Sequence, residues 1–436
     1  NDIDPSGNSF NCNGVIAADR SLHPHAYEVQ YQYQNIWTTP AQVPGTVEVY
    51  NENFFIDLSR YSLRWEVTSM GAPVLAGTVS DLDVAPQQTA VIDLGYDLSA
   101  LSRSGDEYLN LYYTLKRQDG ILDAGTVVSY DQILIRREPQ CIAFGDGDIA
   151  KTVTDACVTL SGISSASGAG LVSRGVAWEA VFDRLSGALV SYRLGGKSIL
   201  DTPMMPCFSR AATENDLGCK VHEKSSMWVD PDFRLVSFDT VRDDDCELVS
   251  VVYVIDKAAT VEMKYKVHGD GSIEVSEHMR DVVAKGTDLM RFGMETALGG
   301  EYSVIDFYGN GPFETYADRC SSAFVGHYVQ RVEDQYHYGF VRSQESGAHN
   351  GLRWFRVLDE DGCGLEFVSE TAFSANALPF SRRDLDVSKG SNRHSLTLKA
   401  LAHDADRSRG KTYVNVDLCQ MGLGYVNSWS APPRSE

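Results

Sequence analysis

Breaking a glycosidic bond takes two facing carboxylates, one of them with a raised pKa. The chain carries 60 Asp and Glu residues, so spacing alone cannot select such a pair. The most suggestive local string is Tyr50-Asn51-Glu52-Asn53, because Asn-Glu precedes the acid in many sugar hydrolases. It lies between two strand patterns and reads as a solvated turn. His23-Pro24-His25 has the residue types of a metal pair. The intervening Pro points the two rings apart, and no Cys or acid stands at ligand spacing. Asn310 to Tyr316 holds a Gly-Pro turn followed by Glu314, which by itself reads as a solvated acid. No Gly-rich phosphate loop follows a strand pattern, and there is no GxSxG elbow. Aromatic faces stack on sugar rings while amides and carboxylates read hydroxyls. In that light Trp429 stands out, because it follows the Gly-rich run Gln420-Met421-Gly422-Leu423-Gly424 and is preceded by Asn427-Ser428. Trp65, on a strand pattern, reads as core.

The elements that would position these residues show a period of two. Val29, Tyr31 and Tyr33 alternate with Gln30, Gln32 and Gln34, and Leu63, Trp65 and Val67 with Arg64 and Glu66. Leu109, Leu111, Tyr113 and Leu115 repeat the pattern, as do Val261, Met263, Tyr265 and Val267. Leu396 and Leu398, then Val414, Val416 and Leu418, close the series. Successive side chains leave opposite faces of a strand, so half-buried sheets give this alternation. Asp119-Gly120, Gly195-Gly196 and Gly269-Asp270-Gly271-Ser272 supply turns, and Phe182 to Leu189 forms a hairpin around Gly187. No long segment has helical period. The chain is predicted to be all-β, built of antiparallel sandwiches. Residues 1–28 are polar and irregular, 29–137 have the size of an immunoglobulin-like sandwich, and 138–170 read as a connection. The larger β region runs from there to 436.

Composition narrows the function classes. Hydrophobic residues make up 43% of the 436, enough to bury sizeable cores. The net charge of −22 repels nucleic acid and anionic membrane surfaces and suits a neutral ligand. Nine Cys residues form no CxxC pair and no zinc spacing, and read as reduced core thiols of a cytoplasmic protein. No apolar run approaches the ~20 residues that span a bilayer. The start, Asn-Asp-Ile-Asp-Pro-Ser-Gly-Asn, points to a chain that continues upstream.

Several strings in fixed order carry a family resemblance. Phe10-Asn11-Cys12-Asn13-Gly14 with Ala18 to His25 resembles the end of the barrel in lactose-operon-type β-galactosidases of glycoside hydrolase family two. Asp83-Val84-Ala85-Pro86-Gln87 resembles a stretch of their next sandwich, and Arg210 to Gly218 the signature that opens their last domain. Tyr308 to Arg319, Gln344 to Gly347, Asn376 to Phe380 and Gln420 to Trp429 are similar to later strings of that domain. The resemblance covers essentially the whole chain.

It implies a barrel tail (1–28), an immunoglobulin-like β-sandwich (29–137) and a galactose-mutarotase-like super-sandwich (138–436). It further implies the C-terminal part of a retaining β-galactosidase, with both catalytic glutamates upstream and no activity in this chain alone. Phe10, through its carbonyl, and Asn13, through its side chain, match positions that hold a sodium ion beside the galactose. Magnesium belongs to the intact enzyme as a second ion, and folding of this chain requires neither. Trp429 matches the tryptophan on which the sugar stacks, and Gly218 the start of a mobile substrate loop. The implied partners are a lactose-type galactoside, the N-terminal and barrel domains, and further copies in a homo-oligomer. Ala212 and Ser343 stand where the family usually has Pro, and the stretch Cys219 to Trp228 is this chain's own. A carbohydrate-binding or scaffold subunit is the alternative. A mutarotase-type epimerase would need a His facing a Glu, for which His349 with Glu345, or His278 with Glu277, are the available pairs.

Overall fold

The computed structural model describes residues 14–97, 105–164, 175–283, 288–340, 342–386 and 410–424. Phe10, Asn13, Trp429, Leu396 and Leu398 fall outside them.

The first regular element is a helix, α1 (His25–Gln32), where the Tyr/Gln alternation predicted a strand. The reason lies in the four-residue spacing of Tyr27 and Tyr31, which puts both rings on one helical face. Tyr27 stacks on Phe313 with centroids 4.3 Å apart, and the Tyr31 hydroxyl donates to Asp131 at 3.0 Å. A second spaced pair, Gln32 donating to Glu28 at 3.0 Å, faces solvent. Tertiary partners, unseen in the alternation, decide for the helix.

Seven strands follow: β1 (Ile36–Pro40), β2 (Thr46–Asn51), β3 (Tyr61–Ser69), β4 (Ala72–Val79), β5 (Thr89–Asp93), β6 (Glu107–Leu115) and β7 (Val127–Arg136). They form two antiparallel sheets, ordered β1-β2-β5 and β4-β3-β6-β7. The predicted alternations sit in register, with Leu63 opposite Tyr113, Trp65 opposite Leu111 and Val67 opposite Leu109. These side chains close on Val47 and Val49 of the facing sheet in one apolar core. Asn51 is fully buried rather than solvated, because its amide nitrogen donates to the Ile56 and Val84 carbonyls. Glu52 beside it is exposed, as expected of a turn.

The second region begins earlier than the sequence suggests. β8 (Ala150–Val153) and β9 (Cys157–Ile163) lie in the stretch read as a connection, and they pair with β10 (Ala177–Asp183), β11 (Leu189–Leu194) and β12 (Lys197–Ser198). Phe182 pairs with Val158 of β9, which gives the short strands a buried face to cover. The hairpin at Gly187 is present, with φ of 77° at the turn. β13 (Met205–Cys207) leads into α2 (Glu214–Cys219) and α3 (Val221–Lys224). A four-stranded meander follows: β14 (Arg234–Asp243), β15 (Cys246–Ile255), β16 (Ala259–Val267) and β17 (Ile273–Arg280). The last sheet takes β13 together with β18 (Arg291–Gly299), β19 (Val304–Gly311), β20 (Phe324–Arg331), β21 (His349–Leu358), β22 (Gly364–Leu378) and β23 (Lys411–Gln420). Its order is β13-β18-β23-β22-β21-β19-β20, and helix α3 is echoed by a second one-turn helix, α4 (Arg382–Leu385), after β22. The three sheets of this region share one apolar core. Antiparallel sandwiches thus account for both regions, as the period-two pattern predicts.

The regions meet side by side. The Gln132 amide exchanges hydrogen bonds of 3.0 and 2.8 Å with the backbone of Val325, and Phe324 packs between Tyr112 and Tyr130. None of the eight described cysteines is joined in a disulfide, but only Cys207 and Cys246 are buried, so the expectation of core thiols holds for those two alone. Among the described residues no helix is long and apolar enough to cross a membrane.

Candidate functional site

At one end of the seven-stranded sheet, five sequence strings that are far apart in the chain come into contact. Arg210 is the centre. Its side chain is wholly buried and makes a two-pronged pair with Asp216, both N–H···O distances 3.0 Å. The remaining guanidinium hydrogens donate to the Met421 and Gly422 carbonyls. Asp216 also closes a capping box at the start of α2, accepting from the Thr213 amide while the Thr213 hydroxyl accepts from the Asp216 amide. Burial opposes ionisation of Asp216, but Arg210 and the Thr213 bonds hold its carboxyl below the usual carboxylate range. One residue earlier, Asn215 donates to the Leu423 carbonyl at 2.8 Å.

Asp318 grips the same run from the other side. Its carboxylate accepts the Leu423 amide at 2.9 Å and the Gly424 amide at 2.6 Å. This approach requires glycine at 422, since a Cβ there would lie 2.4 Å from the Asp318 carboxyl carbon. The last described residues of the C-terminal run are therefore fixed by three side chains from two other strings.

Beneath them lie two more buried carboxylates. Glu314 pairs with Arg319 and accepts from the Ser346 hydroxyl at 2.9 Å and the Gly347 amide at 2.6 Å. It is a buried acid, not the solvated one its turn suggests. Burial raises its pKa, and Arg319 with these donors outweighs that and lowers it. Glu345 accepts from Arg291 at 3.1 Å and Asn376 at 3.3 Å, and its backbone amide donates to the Ala211 carbonyl. The Arg291 guanidinium also lies 3.8 Å from Asp417, whose carboxyl burial pushes up to about 7.

The N-terminal segment ends at this corner. His25 donates through Nε2 to the Gly14 carbonyl at 2.9 Å, and His23 bonds His337 at 2.9 Å. The His23 and His25 rings are stacked, 5.6 Å apart and 8° from parallel, contrary to the expectation that Pro24 turns them apart. Pro24 adopts a helical conformation as the cap of α1, which brings both rings to one side. Burial lowers the pKa of both His25 and His337, and Arg319 is among the charges His25 feels. No group of His, Cys, Asp and Glu among the described residues could hold a metal ion.

Of the predicted site residues only Gly218 is described. It lies inside α2, in a chain of short helical turns running through α3 to a 3-10 turn at Ser226–Trp228. Thr213 at the cap and the Arg210–Asp216 pair supply the local reason. Phe10, Asn13 and Trp429 lie outside the described residues. Their nearest described neighbours, Gly14 and Gly424, are both tied to the corner that Glu314, Asp318 and Arg319 build. The buried network itself was missed by reading residues singly. The signal lay in the family strings, which hold its members Arg210, Asp216, Glu314, Arg319 and Glu345.

The epimerase pairs do not form. His349 is buried with both ring nitrogens engaged, one by Gln335 at 2.9 Å and the other by the Asn310 carbonyl, and burial pushes it down to about 4. Glu345 is committed to Arg291. His278 and Glu277, adjacent on β17, leave opposite faces of the strand.

The fold and the site define an all-β chain whose second region gathers a buried charge network at one sheet end. Residues 174–436 match the beta galactosidase small chain family, and the chain belongs to that family. Residues 47–136 match beta-galactosidase domain 4. The chain is similar to the beta-galactosidases of Halalkalibacterium halodurans, Priestia megaterium and Streptococcus thermophilus, at 29%, 27% and 26% identity. The matches cover 99%, 98% and 99% of this chain. They span 40%, 39% and 39% of the relatives, so the chain spans about two fifths of their length.

Proposed function

We propose that this chain is the C-terminal part of a retaining β-galactosidase of glycoside hydrolase family two, and that it supplies substrate-site walls but no catalytic carboxylate. The observation that carries this is the double anchoring of Met421 to Gly424 by Arg210, Asn215 and Asp318. Such a grip holds the run that leads to Trp429 at a defined place, which is what a stacking aromatic must have to orient a sugar. The tie of Gly14 to the same corner supports a role for Phe10 and Asn13 there, as carbonyl and amide oxygens suited to sodium. Gly218 borders the corner through α2. The nucleophile and the acid belong to a barrel in the remaining part of the protein, where magnesium also has its place. Double displacement needs both carboxylates, so this chain by itself is expected to hydrolyse nothing.

The test is aryl-β-galactoside hydrolysis by the purified chain, alone and mixed with a barrel-containing upstream part. Silence alone and activity on mixing is the expected result. Activity of the chain alone would place both carboxylates inside residues 1–436 and overturn the reading.

A further inference from the structure

A pocket of about 220 Å³ opens in the face of the seven-stranded sheet, next to the turn that carries Asp318. Its lining combines the amides of Asn310, Asn350 and Gln420 with the hydroxyl of Ser374, against the exposed side chain of Leu418. No Asp, Glu, Lys, Arg or His lines it. That is unusual in a chain with a net charge of −22, and here the charges of Arg291, Glu345 and Asp417 are held beneath the sheet by one another. Gln420 is 7% exposed and its amide nitrogen has no hydrogen-bond partner. An orphaned buried amide costs free energy unless a ligand or water meets it. Asn310 donates to the Asn350 side-chain oxygen at 2.8 Å, which holds the two amides against each other.

We propose that this pocket binds a neutral, polyhydroxylated ring, a single hexose unit. An uncharged lining offers nothing to a phosphate, a carboxylate or an amine. Amide donors and acceptors match vicinal hydroxyls, and the exposed Leu418 side chain meets a ring's C–H face. Drug-sized ligands occupy roughly 300–1,000 Å³, so this smaller volume suits one ring. The absence of any acid or base from the lining makes it a binding site, not a site of turnover. The pocket's chemistry stands independently, and only the choice of galactosides as probes rests on the proposed function.

The experiment is ligand-observed saturation-transfer NMR on the full chain with galactose, glucose and lactose, and with gluconate as the charged control. Binding of the neutral sugars with a dissociation constant on the order of millimolar is expected, with none for gluconate. Asn350→Ala should weaken binding at least fivefold. Ala372→Trp, at an exposed position of the rim, should abolish it by filling the pocket, and serves if the first variant fails to fold. Arg60→Ala, at an exposed position away from the pocket, should leave it unchanged. Retention of full binding in Ala372→Trp would overturn the pocket while leaving the galactosidase reading intact. Retained pocket binding in a chain that gives no hydrolysis on mixing would do the reverse. Absence of any sugar binding would end the proposal.

Discussion

The two β regions differ in how far they bury their ion pairs. The first sandwich closes on aliphatic and aromatic side chains of β2, β3 and β6; its pair Arg60 with Asp119 sits in solvent at 45% and 55% exposure, and its buried Glu107 meets Arg136, which stays 29% exposed. The second has a larger apolar core, yet at one sheet end it also buries Arg210, Asp216, Arg291, Glu345 and Asp417. Buried ion pairs rarely add net stability over apolar side chains of the same volume. Their merit is geometric. A guanidinium with two carboxylate bonds and two carbonyl bonds allows one arrangement of the three segments it joins. The network of the second region thus holds the run Met421 to Gly424 in place.

Breaking the network should have the largest effect. Arg210→Ala leaves Asp216 charged and buried without its guanidinium, and is expected to cost about 3–5 kcal/mol, with loss of activity on mixing. Denaturant unfolding checks the first and the hydrolysis assay the second. A cost under about 1 kcal/mol would dissolve the contrast between the regions. Next comes Leu111→Ala in the first core, expected to cost about 2–5 kcal/mol through lost burial and a cavity. Unlike Arg210→Ala, the folded fraction of this variant should keep full activity per folded molecule.

The comparison sharpens with pH. Glu277 of β17 lies in the second region, and burial, aided by the Asp417 charge, pushes its carboxyl up to about 8. Its pKa is higher folded than unfolded. Its contribution is therefore fully present below the unfolded value near 4 and is lost as pH rises towards 8. Glu277→Gln is expected to be more stable than the parent at pH 8 by on the order of 1–2 kcal/mol, and to lose that advantage at pH 4. A constant difference between the two pH values would refute the assignment. Asp318→Ala should cost only about 1 kcal/mol in stability while lowering activity on mixing more than tenfold, because it frees Leu423 and Gly424. Activity equal to the parent's would detach that grip from function. Arg60→Ala, in the solvent-exposed pair, should change stability by less than about 0.5 kcal/mol.

How much of this could be read beforehand differs by element. β3, β6 and β16 were legible because a half-buried strand writes its pairing face into every second residue, as Leu63, Leu111 and Met263 do. The turns at Gly120, Gly187 and Gly195 were legible because their φ values of 59°, 77° and 57° favour glycine. α1 was not, since the tyrosines and glutamines among its eight residues satisfy either period, and only Phe313 and Asp131 across the fold select the helix. β8 was missed because a four-residue strand at a sheet edge carries little alternation, and β9, inside the sheet, because only Val158 and Leu160 mark its buried face.

The sequence by itself determined the architecture, the sign of the surface and the strings that carry the family, because these rest on local periodicity and composition. Only the tertiary structure decided that Glu314 is a buried partner of Arg319 and not a solvated acid. It also decided that His349 is locked between Gln335 and Asn310, and that Arg210 reaches the C-terminal run more than 200 residues later. Those outcomes depend on which segments pack together, and the state of a charge follows from the neighbours and the solvent exposure that packing sets.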